Sequence, residues 1–166
     1  MKELVSIAEK IAAKLIERKQ TIAVAESSTG GLISAALLSV PGASAYFIGG
    51  GVIYTRDARR VLMEIPDEAM KGIRSASEPY AKLLASQIRK RLSTDWGLSE
   101  TGATGPTGNR YGDAAGHSCM ALAGPAEAVI TLETGSNDRP ANMQAFAKAA
   151  LELLLQNLSL VQGVNP

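Results

Sequence analysis

Serine, threonine and glycine gather in three short stretches of this chain, and each could bring hydroxyls or bare peptide groups to a carbonyl or an anion. The first is Glu26-Ser27-Ser28-Thr29-Gly30-Gly31, between a run of small apolar residues and a segment of helical periodicity. Hydroxyls and free N–H groups at a helix start suit a phosphate or carboxylate, because the helix dipole is positive there. Spacing alone favours an N-cap followed by glycines that let a helix pack on a sheet. No Gly-Lys-Ser/Thr follows and the GxGxxG spacing is missing, so this is neither a Walker A loop nor a dinucleotide fingerprint. The second stretch, Thr101 to Asn109, holds three glycines, three threonines and a proline at the end of an expected strand. Ligands of open α/β sheets gather outside the carboxyl ends of strands, so the two loops can form one pocket; the alternative is an ordinary surface loop. The third runs from Gly42 through Ser44 and Tyr54 to Arg59-Arg60. A serine hydroxyl is a weak nucleophile until a base takes its proton. Without such a base, Ser44 is a turn residue.

Composition narrows the chemistry available to these residues. The chain has 166 residues, of which 46% are apolar and 20% charged, with 17 Lys plus Arg against 16 Asp plus Glu. A net charge of +1 supplies no field to draw the protein to nucleic acid or an anionic membrane, so neither is expected as a partner. One cysteine, Cys119, excludes a disulfide framework and a Cys-rich zinc site. One histidine, His117, excludes paired-imidazole metal motifs, and any Ser-His-Asp triad would have to pass through it. The sequence opens without a signal-type apolar stretch, and its apolar runs are too short to span a bilayer. These features predict a soluble, cytoplasmic protein with a single domain over 1–166.

Alternating helices and strands must position the three stretches. Leu4, Ile7, Ala8, Ile11, Leu15 and Ile16 repeat at helical spacing and predict an amphipathic helix over 3–18. A buried strand is expected at 21–25, a helix at 32–40 ended by Pro41-Gly42, and a glycine-containing strand at 45–54. A short helix at 57–63 precedes one opened by Ser77-Glu78-Pro79 and running to about Leu92. Strands at 96–100, 118–123 and 128–133 and a final helix at 140–158 complete the chain. The alternation predicts an α/β fold, a three-layer α/β/α sandwich.

Five motifs in order then carry a resemblance. Ala25-Glu26-Ser27-Ser28-Thr29-Gly30-Gly31, Pro41-Gly42-Ala43-Ser44-Ala45-Tyr46-Phe47, Gly51-Val52-Ile53-Tyr54-Thr55-Arg56-Asp57-Ala58-Arg59, Ser75-Ala76-Ser77-Glu78-Pro79 and Thr101-Gly102-Ala103-Thr104-Gly105-Pro106-Thr107-Gly108 resemble segments of the CinA C-terminal domain family. Stand-alone members of that family include nicotinamide-mononucleotide amidohydrolases. The resemblance implies a mixed sheet of about five strands and hydrolysis of nicotinamide mononucleotide to nicotinic acid mononucleotide and ammonia, with no metal or cofactor. It implies a small-molecule nucleotide as partner, and self-association, since members are often dimeric or larger. It assigns the nucleophile to Ser44, with Ser27, Tyr54 and Thr101 polarising or orienting around it. The loops carrying Thr29, Gly30, Gly31, Gly102, Gly105 and Pro106 would bind substrate, and Arg139 would meet its phosphate. The family's base is a lysine, and Arg59 stands in its place. Arginine stays protonated in proteins, so Arg59 can hold an anion but cannot readily accept a proton. His117 is the one alternative base, if the fold brings it to Ser44. The chain therefore reads as an amidohydrolase with an altered base or as an inactive paralogue that binds a pyridine nucleotide or another small anion.

Overall fold

Leu4, Ala8, Ile11, Ala12 and Leu15 form the buried face of helix α1 (Lys2–Arg18) in the computed structural model, which describes residues 1–161. Each of the buried leucine and isoleucine side chains among them contributes about 1.5–3 kcal/mol. The stripe packs with α2 (Leu32–Leu38) and α5 (Arg139–Leu160) over one face of a sheet, in a core that includes Val24, Leu98, Phe146 and Leu154. On the other face Ala23, Ala25, Tyr80 and Leu84 pack with α3 (Arg56–Met63) and α4 (Glu78–Leu92). Successive residues of one strand thus enter opposite cores, as the two-residue period requires.

The sheet has five strands, β1 (Ile22–Glu26), β2 (Phe47–Val52), β3 (Trp96–Ala103), β4 (His117–Ala123) and β5 (Ala128–Glu133), in the order β2-β1-β3-β4-β5. β2, β1 and β3 are parallel; β4 and β5 run antiparallel. The expected three-layer α/β/α sandwich on a mixed five-stranded sheet is what the chain forms. Trp96 is fully buried at the start of β3, and its indole N–H donates to Gln20 Oε1 at 3.0 Å. Among the described residues no helix is long and apolar enough to cross a membrane.

Several boundaries move by a few residues, two of them for a plain physical reason. The strand expected from Ala45 begins at Phe47, because Ala43–Ala45 is a 3-10 turn that delivers the Tyr46 carbonyl to the Ile22 amide. β3 continues to Ala103, drawing the first residues of the glycine-rich loop into the sheet, because β4 pairs with it from Gly97–Ala123 through Ala103–His117. The caps fall where the sequence puts them: Thr55, Ser77 and Asp138 accept the amides of Ala58, Tyr80 and Ala141 at 3.1, 3.3 and 3.1 Å.

Candidate functional site

The carboxyl ends of β1, β2 and β3 lie side by side, and their loops meet there. The β1 loop is built around two buried acids. Glu26 accepts Thr29 Oγ1 at 2.7 Å and the amides of Gly31, Ile33 and Ser34 at 3.2, 2.9 and 2.9 Å. Its carboxylate thereby occupies the start of α2, where an exogenous anion was one of the two expectations. Glu100, reaching across from β3, accepts the amides of Ser27 and Thr29, each at 3.0 Å, and lies against the hydroxyls of Ser28 and Ser118. Burial holds the Glu100 carboxyl above its ordinary pKa against the pull of these donors, Ser28 first. Thr29 is fully buried among them. Thr29 and Gly31 thus direct donors at the two acids, Gly30 is exposed, and none of the three is among the residues lining the adjoining cleft.

Beside the two acids opens a cleft of about 690 Å³, lined by residues that include Ser27, Tyr54, Arg59, Thr101, Gly102, Arg110 and Tyr111. A space of this size suits a nucleotide-sized ligand. Thr101 is 2% exposed, and its Oγ1 accepts the Ala76 amide at 3.1 Å, which leaves the hydroxyl proton free to donate. Gly102 must be glycine because a Cβ there would sit 2.6 Å from the Ser118 side chain. Tyr54 is 61% exposed at the rim. Arg139 Nη2 donates to the Tyr54 hydroxyl at 3.2 Å and its Nη1 to the Gly105 carbonyl at 2.6 Å. Arg139 ties the β2 end to the β3 loop but is not among the cleft-lining residues, and neither are Gly105 and Pro106.

The fold does not unite every expected residue. Ser27, Tyr54, Thr101 and Gly102 meet at the cleft; Ser44 does not. It is exposed on the turn that precedes β2, at the amino edge of the parallel strands. Phe47–Val52 alone separates it from Tyr54 by roughly 17 Å at the usual strand rise. Arg59 lies at the cleft wall but is engaged: Nε donates to the Ile65 carbonyl at 3.2 Å, and Nη2 is ion-paired with Asp67. His117 is not near the Ser44 of its own chain. It stands at the start of β4, beside the cleft, with Nδ1 against Glu133 and Nε2 2.7 Å from the Ala76 carbonyl.

Sequence reading missed the far wall of the cleft. Asn109 Oδ1 accepts the amides of Tyr111 and Asp113 at 3.0 and 3.1 Å, folding the loop into an Asx turn that lifts Tyr111 into the cleft. The guanidinium groups of Arg110 and Arg74 lie 5.2 and 5.6 Å from the Tyr111 ring centre. The Arg110 hydrogen bond lowers the Tyr111 pKa. Arg74 is held in turn by Asp113, at 2.5 and 3.0 Å. The signal was an Asn–Asp pair four residues apart with a tyrosine between. Glu100 was missed as well, and its signal was an acid inside an otherwise buried strand. Asn142 also has a local role: it donates to the Thr104 and Ser136 carbonyls at 2.9 and 2.8 Å, joining α5 to the β3 loop.

Comparison with known proteins bears on the family and the fold. A CinA-like protein of Gloeobacter violaceus is 36% identical over 155 residues, which is 92% of this chain and 36% of that protein. One from Desulforapulum autotrophicum is 34% identical over 164 residues, 98% of this chain and 38% of its own length. The chain thus spans little more than a third of the curated relatives it matches. A competence damage-inducible protein A structure from Klebsiella pneumoniae superposes with a TM-score of 0.89 at 24% identity, covering 96% of this chain and 99% of that one. A competence/damage-inducible protein structure from Agrobacterium tumefaciens gives 0.84 at 27% identity, covering 95% and 96%. The CinA C-terminal domain family matches residues 4–158, nearly the whole described chain, and with these relatives and this fold the chain belongs to that family.

Proposed function

We propose that the protein binds a nicotinamide mononucleotide-type ligand in the cleft and hydrolyses its carboxamide to a carboxylate and ammonia. The observation that carries this reading is the convergence of the Ser27, Tyr54 and Thr101 hydroxyls with Arg56 and Arg110 in one cleft of about 690 Å³. The exposed rings of Tyr54 and Tyr111 suit a planar pyridinium, and the two arginines suit a phosphate. The Thr101 hydroxyl, with its oxygen already held by the Ala76 amide, is positioned to donate to a carboxamide or carboxylate oxygen. In this reading the nucleophile is the Ser44 Oγ that the resemblance assigns; the chain's own Ser44 lies outside the cleft, so it would come from a second copy of the chain. Oγ attacks the amide carbon, the hydroxyl proton passes to the nitrogen, and the C–N bond breaks to release ammonia. Water then cleaves the acyl ester and restores the serine.

The Arg59–Asp67 ion pair favours a second reading, binding without turnover. Arginine cannot relay the serine proton, and here its charge is also spent on Asp67. Ammonia release from nicotinamide mononucleotide, compared between native protein and Ser44→Ala, tests the first reading. Release that persists unchanged in Ser44→Ala defeats the serine assignment. Thermal stabilisation by the nucleotide without release supports the binding reading. Because Asp67 would also keep a lysine protonated at position 59, Arg59→Lys should restore activity better when combined with Asp67→Asn.

A further inference from the structure

Three tyrosines line the cleft, and two of their hydroxyls are already engaged: Tyr54 accepts from Arg139 and Tyr111 from Arg110, each at 3.2 Å. The third, Tyr80, is different. It stands in the first turn of α4, where the Ser77 cap accepts its amide at 3.3 Å, and it packs in the core with Ala25, Ile53 and Leu84. Only 5% of the residue is exposed. Its hydroxyl has no hydrogen-bond partner among the described residues, yet it is not sealed off, so its free side is the cleft. A buried O–H without an acceptor costs stability and normally finds a partner.

The charges around the two inner tyrosines differ as well. At Tyr111 the Arg110 hydrogen bond, aided by the charge of Arg56, lowers the pKa. At Tyr80 burial dominates and raises it, opposed by the charge of Arg59, whose guanidinium is ion-paired with Asp67. The Tyr80 phenol therefore stays protonated and is a donor at ordinary pH. Its neighbours Ile53, Met70 and Ile73 belong to the same apolar cluster and also line the cleft.

Resting on the cleft being the nucleotide site proposed above, we infer that its Tyr80 corner is a subsite for a neutral group bearing a carbonyl oxygen, an amide above all, and that Tyr80 is the specificity-determining residue, donating its O–H to that oxygen. A phosphate or carboxylate would lose hydration there and meet an arginine already matched by Asp67, whereas an amide gives up less and gains a donor. Thr101 offers a second neutral donor, its oxygen held by the Ala76 amide; Ala76 and Tyr80 flank the Ser77 cap, so one helix start sets both. The cleft is thereby polarised. Neutral hydroxyls serve a carbonyl at the α4 corner, and the guanidinium groups of Arg56 and Arg110 serve a phosphate at the Tyr111 wall.

Fragments test the corner apart from the nucleotide. Nicotinamide and pyridine, at millimolar concentration, are titrated against protein carrying methyl-labelled methionine, with the Met70 signal as readout and Met70→Leu to assign it. Nicotinamide should move that signal and bind more tightly than pyridine. Tyr80→Phe should weaken nicotinamide about fivefold and leave pyridine unchanged. Phenylalanine keeps the ring and removes only an unpartnered hydroxyl, so the variant should melt no lower than native. An equal effect on both fragments, or none, overturns the assignment, as does a lower melting point with both fragments weakened alike. A Met70 signal that nicotinamide leaves still in the native protein, or nicotinate binding more tightly than nicotinamide, overturns the subsite. Calorimetry with nicotinamide mononucleotide separates the two readings. Fragment binding without nucleotide binding keeps the subsite and removes the nucleotide; nucleotide affinity identical in native and Tyr80→Phe keeps the nucleotide and removes the subsite.

Discussion

After β1, the loop Ser27–Gly31 turns the hydroxyls of Ser28 and Thr29 and the amides of Ser27, Thr29 and Gly31 inward onto Glu26 and Glu100. After β3, the loop from Thr104 to Asp113 spends its donors on shaping itself and leaves Arg110 and Tyr111 facing the cleft. Both are rich in glycine and threonine, with small polar residues beside them, yet one is mostly a buried scaffold and the other an open wall. What separates them is the location of the acids. Glu26 and Glu100 lie under the first loop, inside the strands, where unpaired N–H groups would be costly. Asp113 lies within the second loop and organises it from its own side. A helix start rich in hydroxyls is a ligand site only where the protein has not already supplied the anion.

Removing that internal anion is the most disruptive way to break the contrast. Glu26→Ala strands three amides at the start of α2, the Thr29 hydroxyl keeping Glu100 as an acceptor, and should cost on the order of 4 kcal/mol, read as a fall in urea midpoint with unchanged slope. Glu100→Gln should be far milder. The raised pKa of Glu100 means that its stability contribution is present at pH below the unfolded carboxyl value and declines as pH rises from there toward the folded value. Glutamine escapes that decline, so its stability relative to native should grow from pH 4 upward.

The open wall should respond in the reverse manner. Arg110→Ala is expected to leave stability within about 0.5 kcal/mol while weakening nucleotide binding by about tenfold, measured by calorimetry. Equal loss of stability and binding would erase the distinction between the loops.

The smallest effect concerns the hinge between the two regions. His117 touches Glu133 and the carbonyl of Ala76, whose amide holds Thr101. Burial opposes the charged ring, but the bonds to Glu133 and Ala76, with Asp113 3.6 Å from Nε2, outweigh it and raise the pKa. The stability this lends is complete below the unfolded value and is lost as pH rises through the folded one. Arg74, Cys119 and, through Thr131, Glu78 complete the charged and titratable surroundings. Since it is the sole histidine, its ring protons titrate as one resolved NMR signal. A midpoint below the ordinary histidine value contradicts the arrangement, and His117→Gln should flatten the stability profile between pH 6 and 8.

The layers of the fold were legible because helical stripes such as Leu4 to Leu15 and caps such as Ser77 are local signals. The meeting of Ser27 with Thr101 was legible for a topological reason, since both stand at the carboxyl ends of parallel strands, while Tyr54 was placed with them only by the resemblance. Ser44 precedes its strand, and only the strand's direction reveals that this puts it at the opposite edge. The Arg59–Asp67 pair was hidden because the partner lies beyond the αL cap at Glu64, in a segment the sequence presents as a plain turn. Sequence spacing cannot rank which donors a buried acid will claim, so the Glu26 and Glu100 cradle emerged only with the sheet.

Trp96 gives the molecule a built-in optical gauge. The lone indole is sealed at the amino end of β3, while the cleft opens at the other end of the same strand. Its emission should shift red when the sheet comes apart and stay still when a small molecule occupies the cleft, so one fluorescence trace separates unfolding from ligand occupancy.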